Sequence, residues 1–146
     1  MFKPTVAAAV VLAVGCVAYG AQAATSTHRT MRIVATQHDF HEIGAGKKGP
    51  VPGSLFVFSE RLAQSGKATG SDHIVCTFTG SWPVETDFCR AMFTLPGGTI
   101  VAEGASARGP FTVAITGGTG RYAGARGVVH ATPTKNGETL DFVIDA

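Results

Sequence analysis

Hydrophobic and polar residues alternate along short segments of this chain, and turn-forming residues separate most of the segments. Residues 55–63 show the alternation most clearly: one face carries Phe56, Phe58, Glu60 and Leu62, and the other carries Leu55, Val57, Ser59 and Arg61. A period of two is typical of a β-strand whose faces meet different surroundings. No apolar repeat with a helical period is present beyond the first 23 residues, so the pattern predicts an all-β domain.

Eight strands are predicted, at residues 31–40, 55–63, 73–79, 88–95, 99–105, 111–116, 128–132 and 139–145. Asn136-Gly137, between the last two, is the strongest hairpin signal in the chain. Eight short strands joined by turns are typical of a sandwich or a closed barrel, and their spacing does not choose between the two. The candidates for an inner face, as the lining of an interior or as a packed outer core, are Phe111, Val113, Ile115, Leu140, Phe142 and Ile144.

The first 23 residues have the features of a signal peptide. Lys3 precedes an apolar run over 6–18 that is too short to span a bilayer with any margin. Ala21-Gln22-Ala23 has the small-x-small form of a signal peptidase site. We therefore expect cleavage between Ala23 and Ala24, a secreted or periplasmic protein, and no stable membrane span in the mature chain.

The segment after this site is short and polar, and residues 24–30 are predicted to be disordered. A minor alternative to cleavage is a lipid anchor on Cys16, because residues 13–16 loosely resemble a bacterial lipobox. The usual leucine three residues before the cysteine is absent, and the peptidase site follows.

Export changes the interpretation of the cysteines, because Cys76 and Cys89 then remain as an even pair in an oxidising compartment. A disulfide between them would contribute on the order of 3 kcal/mol to the free energy of unfolding. No second C-x-x-C motif and no nearby histidine pair completes a metal-ligand set. The sequence therefore favours a disulfide and predicts no metal site.

Charge excludes one class of partner. The chain has 12 Lys and Arg against 10 Asp and Glu, and its longest basic run is Lys47-Lys48. A nucleic-acid-binding domain usually carries a clustered basic face, so no nucleic-acid partner is expected.

The glycine-rich run over 117–127 holds five glycines in eleven residues. Within it, Gly118-Thr119-Gly120-Arg121-Tyr122-Ala123 fits the G-x-G-x-x-A form of a dinucleotide fingerprint, which requires a helix directly after it. A predicted strand follows instead. We interpret the run as a tight corner between strands.

The same run, from Gly117-Gly118-Thr119-Gly120 to Ala125-Arg126-Gly127, resembles the GGTG-to-ARG signature of dirigent proteins and of bacterial proteins grouped with allene oxide cyclase as barrel-like. The resemblance to these families extends more loosely to residues 53–62, to Cys76, and to the segment from Cys89 to Leu95-Pro96-Gly97-Gly98. The resemblance implies a single antiparallel β-barrel of about eight strands over residues 31–146.

The resemblance also implies a function. Such an exported barrel is expected to bind a small apolar organic molecule and to steer its cyclisation or coupling without a cofactor, as an isomerase resembling allene oxide cyclase. The alternative is a non-catalytic structural or protein-interaction module whose barrel is completely packed with side chains. The sequence leaves open whether the protein is an enzyme, which ligand it holds and whether it forms a homo-oligomer.

Two residues of the signature are candidate binding residues. Arg126 is the arginine of the ARG motif, and it either faces a substrate or braces the corner through its fixed donors, the second being favoured. Tyr122, at the aromatic position, is the other candidate, and it also suits a buried anchor. Arg121 stands where many plant dirigent proteins have an aspartate, which weakens the case for their acid–base chemistry. No catalytic residue is assigned.

The densest polar cluster is His38-Asp39-Phe40-His41-Glu42. On a strand, His38 and Glu42 share a face with Phe40, so no three candidate metal ligands converge. The favoured interpretation is a solvated strand end; at the mouth of a barrel, one of these groups would serve as a general acid or base.

Overall fold

The computed structural model describes residues 28–80, 86–106 and 108–145. The predicted signal peptide, its cleavage site at Ala23–Ala24 and Cys16 lie outside these residues. All eight predicted strands are present: β1 (His28–Ile43), β2 (Leu55–Gln64), β3 (Lys67–Phe78), β4 (Asp87–Leu95), β5 (Gly98–Ser106), β6 (Phe111–Gly118), β7 (Arg126–Thr134) and β8 (Gly137–Asp145). The described ranges contain one short 3-10 helix, η1 (Gly120–Tyr122), and no helix long and apolar enough to cross a membrane.

The strands form a closed barrel in which each is antiparallel to its neighbours in sequence and β1 pairs with β8. This settles the choice between sandwich and barrel in favour of the barrel. At the β1–β8 seam, Arg32 donates two hydrogen bonds to the Asp141 carboxylate, at 2.6 and 2.8 Å, on the exposed face. The connections after β2, β4 and β6 lie at one end of the barrel, which we call the closed end. The connections after β1, β3, β5 and β7 lie at the open end.

Two strand boundaries differ from the prediction. β1 begins at His28 instead of residue 31, because His28 to Thr30 pair with β8; these three residues, expected in a disordered segment, are strand. β3 begins at Lys67 instead of residue 73, because the tight turn at Ser65–Gly66 lets the chain pair with β2 at once. Residues 67–72 are polar or small, so their pattern carried no strand signal. This extension brings Asp72 into the barrel.

The hydrophobic core fills the middle and the closed end of the barrel interior. Its most deeply buried apolar side chains, each at most 1% exposed, include Ile33, Leu62, Ile100, Val129 and Phe142. The rings of Phe93 and Phe142 meet edge to face, with centroids 5.0 Å apart. Of the candidates for an inner face, five are buried and Phe111 is half-buried against the same cluster, so that face is the interior.

The glycine-rich corner covers the closed end by docking on the β4–β5 hairpin. The N–H of Thr119 donates to Thr99 O at 2.9 Å, and the N–H of Arg121 donates to Gly97 O at 2.8 Å. Gly120 has a φ of +59°, and a Cβ there would collide with Gly97 O. The corner therefore needs glycine for both conformation and space. Strand β7 follows it, as expected for a structural corner.

Candidate functional site

The open half of the barrel interior is a chamber of about 340 Å³. Its wall is mostly apolar and includes five phenylalanines: Phe40, Phe56, Phe58, Phe93 and Phe111. The rings of Phe40 and Phe56 stack with centroids 5.9 Å apart. The polar side chains on this wall are Asp87, Ser106 and Glu138. This volume and composition are those of a small-molecule site.

A second cavity, of about 640 Å³ and mostly polar, adjoins the chamber. It forms because pairing between β1 and β8 ends at Thr36 and Gly137, whereas β1 continues along β2 to Ile43. We call this cavity the side opening. Phe40, Phe58 and Glu138 line both cavities, so Glu138 lies at the boundary between the chamber and the side opening.

Three acidic side chains meet at this boundary: Glu60 of β2, Asp72 of β3 and Glu138 of β8. Glu60 and Asp72 are cross-strand partners, only 2% and 0% exposed, and the N–H of Glu60 donates to Asp72 Oδ1 at 3.0 Å. One oxygen of each carboxyl group has no hydrogen-bond partner among the described residues: Oε2 of Glu60 and Oδ2 of Asp72. Burying such oxygens as charged groups is costly, which favours keeping protons on the cluster.

Burial raises the pKa values of the three carboxyl groups, which we call the acid cluster. It raises the pKa of Glu60 to about 8, helped by the negative charges of Asp72 and Glu138. It also raises the pKa of Asp72 to about 7, against hydrogen bonds from Glu60 that lower it. The pKa of Glu138 is raised by burial as well. The cluster therefore holds protons that it can donate or accept near neutral pH.

Cys76 and Cys89 form the disulfide predicted from the sequence, with an S–S distance of 2.03 Å. It joins β3 and β4 at directly paired positions, with Cα atoms 3.9 Å apart. Both cysteines line the chamber. The disulfide therefore fixes part of the chamber wall as well as the strand pair.

The two candidate binding residues of the signature lie at the closed end. Arg126 is exposed, and its Nη1 donates to Thr116 O at 3.0 Å and to Ala125 O at 2.8 Å. Tyr122 is 5% exposed, with the Arg121 guanidinium carbon 5.6 Å from its ring centroid. Neither is among the residues that line the chamber. Their contacts are those of a brace and an anchor, and a role in binding stays a prediction.

The polar cluster of β1 lies beside the side opening. His38 and Asp39 line it, while Phe40 lines both cavities. His38 Nε2 is 4.0 Å from Asp39 Oδ2, and both side chains are at least half exposed. Within the described ranges, no three His, Cys, Asp or Glu side chains are grouped to hold a metal ion. The polar cluster of β1 is therefore a solvated edge of the side opening.

Sequence reasoning did not select the acid cluster. One signal was available, since Glu60 alternates with Phe56, Phe58 and Leu62 on the apolar face of its strand. Asp72 lay outside the predicted strand, and Glu138 lay in a hairpin turn that is usually exposed.

The comparisons with known proteins agree with this fold. The sequence model of the allene oxide cyclase barrel like domain matches residues 21–144. The chain belongs to this family. No match was found among curated proteins.

Three similar solved structures illustrate the range of this barrel. A pyocyanin demethylase is 30% identical, covers 81% of this chain and 100% of its own, and has a TM-score of 0.74. An exo-specific intermolecular Diels-Alderase is 15% identical over 82% of this chain and 99% of its own, with a TM-score of 0.68. A pterocarpan synthase dirigent protein is 16% identical over 82% of each chain, with a TM-score of 0.60. The last two likenesses concern the fold alone.

Proposed function

We propose that this protein encloses a small, mostly apolar organic molecule in the chamber and promotes its isomerisation or cyclisation by proton transfer. The observation that carries the proposal is Glu138, a half-buried carboxyl group in a mostly apolar wall, backed by the buried Glu60–Asp72 pair. The wall would hold the molecule in one pose, and the acid cluster would supply or remove a proton.

The family membership supports this proposal, since two of the similar structures are named for reactions of small organic molecules. The pyocyanin demethylase, at 30% identity, is named for removing a methyl group from such a molecule. A chamber of about 340 Å³ also argues against the alternative of a completely packed barrel. The reaction would need no cofactor, because confinement and proton transfer come from side chains of the barrel.

Export belongs to the same proposal. The predicted signal peptide would carry the chain out of the cytoplasm and into an oxidising compartment. The Cys76–Cys89 disulfide is stable in such a compartment. The molecule that enters the chamber would then be met in the periplasm or outside the cell.

Native mass spectrometry of the protein from its own host tests whether the chamber is occupied. We expect a bound small molecule in the wild type and in Ala114→Phe, whose side chain is exposed on β6. Ala131→Phe, which fills the chamber from β7, should lose it. A consistently empty wild-type barrel, with no thermal shift across a panel of apolar compounds, would contradict the proposal.

A further inference from the structure

A further cavity, of about 260 Å³, lies at the closed end of the barrel. The start of β1, the end of β8 and the glycine-rich corner border it, and we call it the closed-end cavity. Its lining residues are different from those of the chamber and of the side opening. The proposed function makes no use of this cavity.

Two arginines line the closed-end cavity, Arg29 of β1 and Arg121 of η1. Among the described residues, neither guanidinium group has a carboxylate partner. Arg32 and Arg90, on the outer surface, lie beside the carboxylates of Asp141 and Glu103. The cavity therefore holds two positive charges that the described part of the chain leaves without a counterion.

The position of Arg29 is unusual for a charged residue. Arg29 lies directly opposite Ile144, which is only 6% exposed, and side chains of paired residues project to the same side of a sheet. The inner face of β1 thus begins with Arg29 and continues with the buried Met31 and Ile33. The arginine stem extends over apolar surface at the mouth of the closed end, and its charged group lines the cavity.

Arg121 is restrained from another direction. Its guanidinium carbon lies 5.6 Å from the ring centroid of Tyr122, whose side chain is buried. The ring attracts the positive charge and limits the motion of the side chain, but it does not neutralise the charge as a carboxylate would. Arg126 adds a third guanidinium group at this end, since it pairs with Asp145 across β7 and β8.

The remaining lining indicates which anion suits the cavity. Guanidinium groups bind carboxylate and phosphate through paired N–H donors. Asp145 also lines the cavity, with its Oδ1 2.9 Å from His28 Nδ1, and it repels a doubly charged phosphate more strongly than a singly charged carboxylate. Ala125 and Ile144 supply apolar surface beside these groups.

We propose that the closed-end cavity binds a small organic monocarboxylate. Its carboxylate would lie between Arg29 and Arg121, and its apolar body would lie against Ala125 and Ile144. Such a ligand would connect β1 and β8 with the glycine-rich corner. The inference goes beyond the proposed function and does not rest on it, because the two cavities lie at opposite ends of the barrel.

The test is a titration with benzoate at constant ionic strength, followed in ¹H–¹⁵N correlation spectra of the protein. Benzamide, which has nearly the same shape and no charge, is the comparison, and inorganic phosphate is a second one. We expect benzoate to shift the amide signals of residues 121–125. Benzamide should bind at least tenfold more weakly, and phosphate more weakly than benzoate.

Variants locate the binding. Arg29→Gln and Arg121→Gln should each weaken benzoate at least fivefold, because each removes a charge-assisted hydrogen bond, and Arg29→Lys should weaken it less than Arg29→Gln. The matched control is Arg61→Gln, at an exposed position of β2, which should leave the affinity for benzoate unchanged. Ala131→Phe, which fills the chamber, should also leave it unchanged.

Each contrary result overturns the inference. Such results are equal affinities for benzoate and benzamide, unchanged affinity in both glutamine variants, loss of binding in Ala131→Phe, and no shift of the signals of residues 121–125. Tighter binding of phosphate than of benzoate would overturn the choice of a monocarboxylate. An unchanged spectrum away from the cavity shows that a variant is folded. Should the glutamine variants fail this check, the comparison of wild type with Ala131→Phe decides the location.

Discussion

At the scale of single residues, Glu60 has the largest consequence, because its carboxyl group is buried inside the barrel next to the carboxyl group of Asp72. A raised pKa in the folded protein means that folding takes up protons. The contribution to stability is fully present below about pH 4, where the unfolded chain is protonated as well. It is lost as the pH rises through about 7 to 8, where the folded cluster ionises.

We therefore predict that the free energy of unfolding falls between pH 5 and pH 9, and that Glu60→Gln reduces this fall by on the order of 2 kcal/mol. The amide keeps the shape of the side chain and removes its charge. Urea unfolding at a series of pH values measures the effect, with Glu103→Gln, on the outer face of β5, as the control. Parallel pH profiles of wild type and Glu60→Gln would refute the assignment.

Arg126 acts at the same scale but at the opposite end of the barrel. Lysine keeps the charge and loses the fixed geometry with which the guanidinium reaches Thr116 O and Ala125 O. We predict that Arg126→Lys lowers the free energy of unfolding by about 1 kcal/mol, because the site is exposed, and leaves ligand affinity unchanged. Arg61→Lys, on an exposed position of β2, is the control for stability. Loss of ligand affinity at unchanged stability would instead assign Arg126 to binding.

At the scale of elements, the glycine-rich corner is a docking device for the β4–β5 hairpin. Thr119 and Thr99 face each other across this contact with hydroxyl oxygens 2.7 Å apart, in addition to the two backbone bonds. The run that carries the resemblance in the sequence therefore maps onto the part that closes the barrel. The chamber lies at the other end.

Two glycines of this corner give a matched pair of substitutions. Gly120 and Gly124 both have positive φ, so alanine at either position costs about 1–2 kcal/mol of backbone strain. A Cβ on Gly120 would also collide with Gly97 O, whereas a Cβ on Gly124 meets open space. We predict that Gly120→Ala destabilises the protein by about 1–3 kcal/mol more than Gly124→Ala, as measured by urea unfolding. Equal losses would show that the docking contact contributes little.

At the scale of the whole molecule, the barrel joins a rigid closed half to a hollow open half. The packed core and the corner hold one end, and the Cys76–Cys89 disulfide holds a wall of the other. The excess length of β1 over β8 produces the side opening.

Export and oxidation are tested together on the whole chain. We predict that the intact mass of the exported protein corresponds to residues 24–146 with two hydrogens fewer than the reduced chain. Cys16→Ser should be processed in the same way, because the cleavage site lies beyond it. A mass that begins at Cys16 and includes a lipid would instead establish the anchored form.

The strand pattern was readable from the sequence because alternation and turn residues are local properties. All eight strands were predicted on this basis, and so was the disulfide, which followed from an even cysteine count and expected export. The alternation in β2 separated its two faces but did not show which of them packs inward. The family signature over 117–127 then favoured closure, which periodicity alone did not.

The acid cluster could not be predicted from the sequence, because its members come from three different strands. Asp72 belongs to the site only because the Ser65–Gly66 turn starts β3 early, and Glu138 only because β8 closes against β1. Their raised pKa values follow from burial and mutual proximity, which exist only in the closed barrel. Local pattern thus specified the strands, whereas the ring of strand pairings placed the charges in the chamber.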